Sequence, residues 1–382
     1  MNPYRYVILG AGAAGLSLCH AMLTRGLTDP ILILDSKAAF TDDRTWCFWN
    51  NGANPFRDLA SHCWHRWDVF GVDGRLASQC SPTVGYACLR GQDFYAHVSD
   101  VIRRHPNVTL ALGEATEGCT PHAHGVTITT GSRTVEAEYV FDSRPRPVPP
   151  GGIAFTQRFF GQFVRAEEPI FDPSRCTMMD FRASQECGLH FTYVLPFSPT
   201  TALVENTYIQ PSEEKALTPD QHRAEIAESL FGRPFCVQRE EAGAIPMTTQ
   251  RFPKRNGRVF FIGTAGGCTK PSSGYTFSRI QTQSALIADA ALSGKLDDFR
   301  EKSNPRFEFF DTVFLQAMRD RPQAVPSYFH QLFSRVPPDT LTAFLSETST
   351  WQEETKIVRT LPLGPFLGAA IRSAPHWLSR RP

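Results

Sequence analysis

The sequence predicts an α/β protein: a Rossmann-type, dinucleotide-binding domain with an inserted mixed or antiparallel β-sheet domain and a helical C-terminal region. Three observations lead to this fold class. They are a strand–glycine loop–helix–strand unit at the N-terminus, strand-like segments in the middle of the chain, and helical periodicity near its end. The 382 residues include 39 basic and 38 acidic side chains, so we expect no overall field that would attract nucleic acid.

The N-terminal unit is a dinucleotide-binding fingerprint in its usual context. The apolar run YVIL at 6–9 predicts a buried parallel strand, and the glycine-rich sequence GAGAAG follows it directly. A helical pattern comes next, and a second apolar run at 31–34 ends on Asp35, which would accept hydrogen bonds from a ribose hydroxyl. Glycines here allow the backbone to approach a pyrophosphate at the helix N-terminus. The three glycines of the fingerprint are Gly10, Gly12 and Gly15.

The fingerprint alone is compatible with NAD and with FAD, but two later segments favour FAD. One is a predicted strand that ends on Asp142, at the cofactor edge of the sheet. The other is a predicted strand at 258–262, followed by a glycine-rich loop at 263–275. Thr264 stands where many flavoproteins carry an acid that holds the ribityl chain. The cofactor-binding candidates in this loop are Gly263, Thr264, Gly274 and Tyr275.

Clusters of proline and glycine predict the domain boundaries. RPRPVPPGG at 144–152 separates two compact regions, and LSGKL at 292–296 precedes a helical pattern. We therefore expect a discontinuous FAD-binding domain, a substrate-binding domain inserted into it, and a helical region. The ranges are 1–60, 85–150 and 240–295 for the FAD-binding domain, 61–84 and 151–239 for the substrate-binding domain, and 296–382 for the helical region.

A glutamate in the middle of a predicted strand is the first candidate for chemistry. The segments 191–195 and 201–209 predict a β-hairpin. Alternation along its second strand places Leu203, Glu205 and Thr207 on one face. An unpaired acid on a buried face is energetically costly. From these residues, Glu205 either faces water on an edge strand or is held in a cavity for a purpose.

Six motifs occur in order along nearly the whole chain. They are DRTWCFW at 43–49, QRFFG at 157–161, YVLPFSP at 193–199, LVENTY at 203–208, GAIPM at 243–247 and the glycine-rich loop at 263–275. Together they resemble the corresponding motifs of the bacterial lycopene β-cyclases. These are flavoproteins related in fold to the aromatic hydroxylases and the geranylgeranyl reductases.

The resemblance implies a redox-neutral isomerisation of lycopene, through γ-carotene, to β-carotene. A terminal double bond is protonated, the cation is attacked by a neighbouring double bond, and a proton is lost. The family uses reduced FAD, with NAD(P)H as the reductant. By the same resemblance Glu205 is the essential acid beside the reacting end group, and either Glu205 or the reduced flavin donates the proton.

Two arginines are further candidates for contact with FAD. Arg44, in the DRTWCFW motif, contacts either the FAD phosphates or ribose, or an acid in a surface salt bridge. Arg90 begins a predicted helix, and an arginine at the corresponding place in the related hydroxylases lies near the flavin. The eleven histidines form no H-x-x-x-H or H-E-x-x-H pattern, so we predict no metal site.

The expected location is the cytoplasm, with peripheral association at the inner face of the cytoplasmic membrane. The ten cysteines include no C-x-x-C pair, and the N-terminus begins directly with a strand. The resemblance adds the membrane surface, where lycopene resides. The apolar segment 361–371 either lies among lipid headgroups or packs on the protein body. Four residues that follow it without an acid are Arg372, Trp377, Arg380 and Arg381.

Two other functions fit the same sequence features. One is a flavin-dependent monooxygenase or isoprenoid reductase on the same fold, which would consume NAD(P)H with each product formed. The other is a carotenoid or lipid carrier that retains the fold without catalysis.

Overall fold

The computed structural model of the protein describes residues 4–52, 54–301 and 304–378. Within these residues the chain forms three β-sheets and nine α-helices. The strands are β1 (Tyr4–Leu9), β2 (Ile31–Asp35), β3 (Thr45–Asn50), β4 (His62–Trp64), β5 (Arg66–Phe70), β6 (Leu76–Cys80), β7 (Gly85–Arg90), β8 (Val108–Leu112), β9 (Thr116–His122), β10 (Gly125–Thr130), β11 (Thr134–Asp142), β12 (Ala154–Ala166), β13 (Cys176–Asp180), β14 (Leu189–Pro196), β15 (Thr201–Pro211), β16 (Phe235–Thr248), β17 (Arg255–Asn256) and β18 (Val259–Phe261). The helices are α1 (Ala13–Thr24), α2 (Gly91–Arg103), α3 (Pro219–Ser229), α4 (Phe277–Leu292), α5 (Pro305–Asp320), α6 (Val325–Arg335), α7 (Pro338–Leu345), α8 (Trp351–Thr360) and α9 (Leu363–Leu378).

The first sheet is the Rossmann-type sheet that the sequence predicts. Its parallel strands have the order β18–β11–β1–β2–β8, and the β9–β10 hairpin continues the sheet beside β11. Ile8 and Phe141 pack in one core with the helices α1, α2 and α4, whereas Leu9 and Val140 pack on the opposite face. Strands covered on both faces are continuously apolar, which explains why the runs at 6–9 and 31–34 do not alternate.

The second sheet is the predicted mixed sheet, with seven strands in the order β16–β12–β15–β14–β13–β5–β6. One face is covered by α3, where Val204 and Ile226 meet. On the other face, Leu203 packs with Trp49 and Tyr86 of the small sheet β3–β7–β4. The predicted hairpin is confirmed as β14 and β15, and its alternation is as expected.

The seven-stranded sheet extends past the boundary predicted between residues 239 and 240. β16 continues across that position beside β12, from Ala154 opposite Thr248 to Ala166 opposite Phe235, with one shift in register where Phe163 is opposite Arg239 and Val164 is opposite Val237. Within the predicted segment 61–84, β5 and β6 join the seven-stranded sheet, but β4 pairs with β7 of the small sheet.

The helices α5 to α9 pack beside these sheets. One of their links to the rest of the protein is a buried ion cluster. The ammonium of Lys270, in the loop before α4, lies 2.8 Å from Asp311 of α5 and 3.1 Å from Glu347. The Lys270 side chain is 1% exposed, and Arg279 reaches the same Glu347 carboxylate from a more exposed position. Among the described helices, none has the length and apolar character needed to cross a bilayer.

We predict that Lys270→Met lowers the free energy of unfolding by about 3–5 kcal/mol, because it leaves two carboxylates without their buried cation. Arg279→Met is the matched control and should cost less than about 1 kcal/mol, since this partner is exposed to water. Urea unfolding followed by circular dichroism measures both. Equal losses in the two variants would contradict the prediction.

Candidate functional site

The glycine-rich loop between β1 and α1 has the geometry needed to hold a pyrophosphate. Gly10 has a φ of +97°, and a Cβ on Gly15 would lie 1.9 Å from the Gly10 carbonyl oxygen. Gly12 precedes α1 without a side-chain cap, and a Cβ there would meet no atom within 4 Å. First-turn amides that lack an internal partner bind anions. The loop therefore fits the phosphates of a dinucleotide.

Asp35 lies at the end of β2 and is bonded to this loop. Its carboxylate accepts hydrogen bonds from the backbone amide of Ala11 at 2.6 Å and from that of Lys37 at 2.8 Å. The acid thus helps to fix the glycine loop, in addition to standing at the cofactor edge of the sheet. Its contact with a ribose stays a prediction.

Asp142 ends β11 beside Leu9, as expected, but its carboxylate is engaged by another residue. Arg144 donates to it from Nε at 2.9 Å and from Nη2 at 2.7 Å. Phe141, the residue before Asp142, packs on the side of the sheet that carries α1. Side chains alternate along a strand, and that of Asp142 lies near Cys119 of β9. The carboxylate is therefore on the side of the sheet opposite α1 and is already neutralised, an arrangement that gives no support to a direct cofactor contact.

The loop at 263–275 joins the two large sheets. Gly263 has a φ of +62°, and a Cβ there would lie 2.5 Å from the Cβ of Ala14 in α1. At the other end, a Cβ on Gly274 would lie 2.6 Å from Oε1 of Gln157 on β12. The exposed Thr264 lies in the short turn that follows Gly263. The loop thus connects the N-terminus of α1 with the face of the seven-stranded sheet that carries Glu205.

Arg44 and Arg90 both bind protein groups near the contact between β16 and the segment 42–44 that precedes β3. We refer to this contact as the seam. Arg44 donates to the carbonyl oxygen of Ala242 at 2.9 Å. Arg90, which precedes α2 as predicted, forms an ion pair with Asp42. Arg239 of β16, which the sequence analysis did not single out, pairs with the same Asp42 at 3.2 Å. For these arginines a cofactor contact stays a prediction.

Glu205 lies on an interior strand of the seven-stranded sheet, and its side chain is partly buried. β15 runs between β12 and β14, so the interpretation of Glu205 as a solvated edge-strand residue is wrong. Its partners in register are Gly161 on β12 and Tyr193 on β14. Gly161 lets the neighbouring side chains pack closely, because a Cβ on it would lie 2.9 Å from the Leu203 side chain, too close for contact, and 3.5 Å from that of Glu205.

The pKa of Glu205 is raised to about 8. Burial is the largest cause, the nearby charge of Glu241 is the second, and a hydrogen bond from the Thr207 hydroxyl, at 2.9 Å, acts in the opposite direction. A carboxyl in this state is protonated at neutral pH. It can therefore donate a proton to a weakly basic substrate group.

Glu241 is a second acid on the same face, and the sequence analysis missed it. It pairs with Gly161 from the other side, so the glycine stands between the two glutamates. Glu241 accepts hydrogen bonds from Thr45 at 2.8 Å and from Arg239 at 2.9 Å. It lies two residues before the GAIPM motif. Alternation along β16 indicates which face of the strand carries Glu241, but only the pairing of β16 with β12 places Glu241 across Gly161 from Glu205.

Aromatic side chains surround this face of the sheet. The Tyr193 hydroxyl donates to that of Tyr86 at 2.9 Å, and Tyr275 of the glycine-rich loop lies beside Tyr86 and Trp49. Burial raises the pKa of Tyr86, Tyr193 and Tyr275, so these phenols are neutral. Aromatic faces around an acid, with little water, favour a cation formed among them.

Comparison with known proteins agrees with this geometry. Residues 6–371 match the family described as "Lycopene cyclase protein". The lycopene beta-cyclase of Pantoea ananas is 24% identical over 393 residues, which cover 97% of this chain and 98% of that protein.

Among solved structures, a geranylgeranyl bacteriochlorophyll reductase-like protein from Thermoplasma acidophilum has a TM-score of 0.62 at 11% identity. The alignment covers 97% of this chain and 98% of that one. A mutant of the halogenase PltM, solved in complex with FAD, has a TM-score of 0.58 at 13% identity, covering 100% and 93%. These structures share the flavoprotein fold that the sequence predicts. The chain belongs to the lycopene cyclase protein family, and it is therefore an enzyme of the isomerase type, an intramolecular lyase.

Proposed function

We propose that the protein is a lycopene β-cyclase that converts lycopene, through γ-carotene, to β-carotene. The observation that carries the proposal is the partly buried Glu205 carboxyl on the aromatic face of the seven-stranded sheet, whose raised pKa of about 8 keeps it protonated. Whole-length similarity to the cyclase of Pantoea ananas supplies the substrate class.

In the proposed reaction, Glu205 donates its proton to the terminal double bond of a lycopene end group. The neighbouring double bond attacks the resulting cation and closes the ring. The Glu205 carboxylate, or a base near it, then receives the proton that the ring carbon loses. One proton is added and one is removed, so the product is an isomer of the substrate and no electrons are transferred. Burial of Glu205 strengthens its interaction with the cation, because little water screens the charges.

The proposed cofactor is FAD in its reduced form, with NAD(P)H as the reductant. The loop with Gly10, Gly12 and Gly15 would hold the pyrophosphate, and Asp35 the ribose. The loop at 263–275 would border the flavin end, since it connects α1 with the sheet that carries Glu205. When bound, reduced FAD supplies an electron-rich ring that favours positive charge nearby.

The membrane surface is the proposed source of the substrate. On α9 the side chains Leu363, Leu367 and Ile371 are 68%, 63% and 66% exposed and recur at every fourth residue. Ala369 of the same helix is fully buried. The helix thus packs on the protein through one face and presents an apolar stripe on another. We assign this stripe to the inner face of the cytoplasmic membrane. Arg372 flanks it and pairs with Asp320. Of the other residues noted in the tail, the Trp377 side chain and Arg380 and Arg381 lie outside the described residues.

We predict that Glu205→Gln lowers β-carotene formation by about 10²-fold or more, because the amide has no acidic proton to donate. The test is expression in a lycopene-accumulating host, with the pigments identified by chromatography. Glu225→Gln is the matched control. Glu225 of α3 accepts hydrogen bonds from Asn206 and Tyr208, whose side chains are on the face of β15 opposite to Glu205. This variant should therefore retain activity.

Persistent lycopene with the wild-type protein would contradict the cyclase proposal. Consumption of NAD(P)H in proportion to product would instead favour a reductase or monooxygenase, and bound but unchanged pigment would favour a carrier. Full activity of Glu205→Gln would remove this residue from the mechanism.

The cyclisation rate of the purified protein should fall as the pH rises through about 8, where Glu205 loses its proton. Because the active form is the protonated one, the rate should decrease about tenfold per pH unit well above this value. Initial rates in detergent micelles between about pH 6 and pH 10 measure the profile. A rate that stays constant over this whole range would show that another group donates the proton.

Replacing Leu363, Leu367 and Ile371 by serine should reduce flotation with phosphatidylcholine–phosphatidylglycerol vesicles more than about tenfold, because each apolar side chain contributes about 1.5 kcal/mol or more when buried. Val72 and Leu76, which are also exposed but lie in the β5–β6 hairpin of the seven-stranded sheet, provide the control pair for serine replacement. Equal flotation of the triple variant and the control would exclude the α9 stripe as the membrane contact.

A further inference from the structure

The two glutamates of the seven-stranded sheet differ in their partners. Glu241 is 6% exposed and is bonded by Arg239 and by the Thr45 hydroxyl, which lies on β3 outside the sheet. Among the described residues, Glu205 has only the Thr207 hydroxyl as a hydrogen-bond partner and no cation. Of two interacting carboxyls, the one with a cation and more donors ionises first, and its charge makes the second ionisation harder.

The strand pairing places the two glutamates on either side of a single glycine. Glu205 and Glu241 are both paired with Gly161, one from each neighbouring strand. Strands two apart in a sheet are separated by about 10 Å, and both side chains rise from the same face. Gly161 has no side chain to separate them. The Leu203 side chain lies over this glycine, 2.9 Å from where a Cβ on Gly161 would be, so the surroundings of the two carboxyls at this position are apolar.

Within the described part of the chain, the other groups around Glu205 carry no compensating charge close to it. Tyr86 of β7, Tyr193 of β14 and Tyr275 of the glycine-rich loop are neutral phenols near the site. Cys47 of β3 is a neutral thiol, because its hydrogen bond with a neighbouring cysteine and its burial both raise its pKa. The charged groups at the seam act on Glu241. They are Arg239, Arg44 and, through its ion pair with Arg239, Asp42.

We propose that Glu241 is a positioning residue of this site, whose carboxylate, held by Arg239 and Thr45, acts across Gly161 to keep the proton on Glu205. The proposal rests on the proposed function for its catalytic meaning, but the interaction itself is independent of any substrate. It also gives the DRTWCFW motif a role beyond the cofactor, because Thr45 of that motif bonds Glu241. The acid strength of Glu205 then depends on the contact between β3 and β16.

The test measures the titration of Glu205 directly, in protein labelled with ¹³C at the glutamate side-chain carboxyl. The carboxyl resonance that titrates in the alkaline range is assigned by its absence in Glu205→Gln. We expect Glu241→Gln to move the midpoint down by about one pH unit, a tenfold change in the proton dissociation constant. Glu241→Asp keeps the charge and should restore most of the wild-type midpoint.

A second variant keeps the test independent of folding problems in Glu241→Gln. Thr45→Val removes one donor to Glu241, which raises the pKa of Glu241 and reduces its ionised fraction, and should therefore lower the Glu205 midpoint in the same direction. Thr45→Ser retains the hydroxyl and should leave the midpoint unchanged. An unchanged midpoint in Glu241→Gln, or in Thr45→Val where Glu241→Gln does not fold, overturns the proposal. This result is separate from failure of the cyclase proposal, which would show as absent β-carotene with an intact titration.

Discussion

The pairing of β12 with both β15 and β16 is the constraint on which the rest of the site depends. Because Gly161 is paired with Glu205 on one side and with Glu241 on the other, the positions of the two glutamates relative to this glycine are determined by register and not by loop conformation. A shift of one residue would turn either glutamate to the face covered by α3. A rigid sheet therefore holds the acid, and the Rossmann-type sheet supplies the neighbouring cofactor loops. The proposed reactive region lies where these two sheets meet.

The loop at 263–275 determines how the two sheets meet. Gly263 packs on Ala14 of α1, Gly274 packs on Gln157 of β12, and Lys270 between them is bound to Asp311 of α5. The three contacts are made with the Rossmann-type domain, the seven-stranded sheet and the C-terminal helices. A displacement of the loop relative to one of these parts would break its contact with another. Both glycines have positive φ values, which explains why this segment needs glycine at its two ends.

Patterns confined to one segment could be predicted from the sequence, whereas pairings between distant segments could not. The glycine fingerprint, the buried parallel strands and the alternation around Glu205 are local, and the structure confirms them. Glu241 and Arg239 were missed because their importance comes from register with β12, which no local pattern encodes. The partner of Asp142 was missed for a different reason: Arg144 is only two residues away, but it stands in a segment interpreted as a domain boundary. β16 crossed a predicted boundary because of its pairing with β12, as in the case of Glu241 and Arg239.

Burial of an acid has opposite consequences for stability and for chemistry. A carboxyl that must ionise inside a protein loses hydration, and partners such as those of Glu241 offset that loss in part; burial still raises the pKa of Glu241. Glu205 lacks such partners among the described residues and remains protonated, which avoids the cost of a buried charge at neutral pH and retains an acidic proton. In the proposed reaction the charge appears only after the proton has been transferred, and the substrate cation formed in that step would then be its partner. A site with one stabilised and one unstabilised carboxyl is thus stable before the reaction and electrostatically complementary to the cation during it.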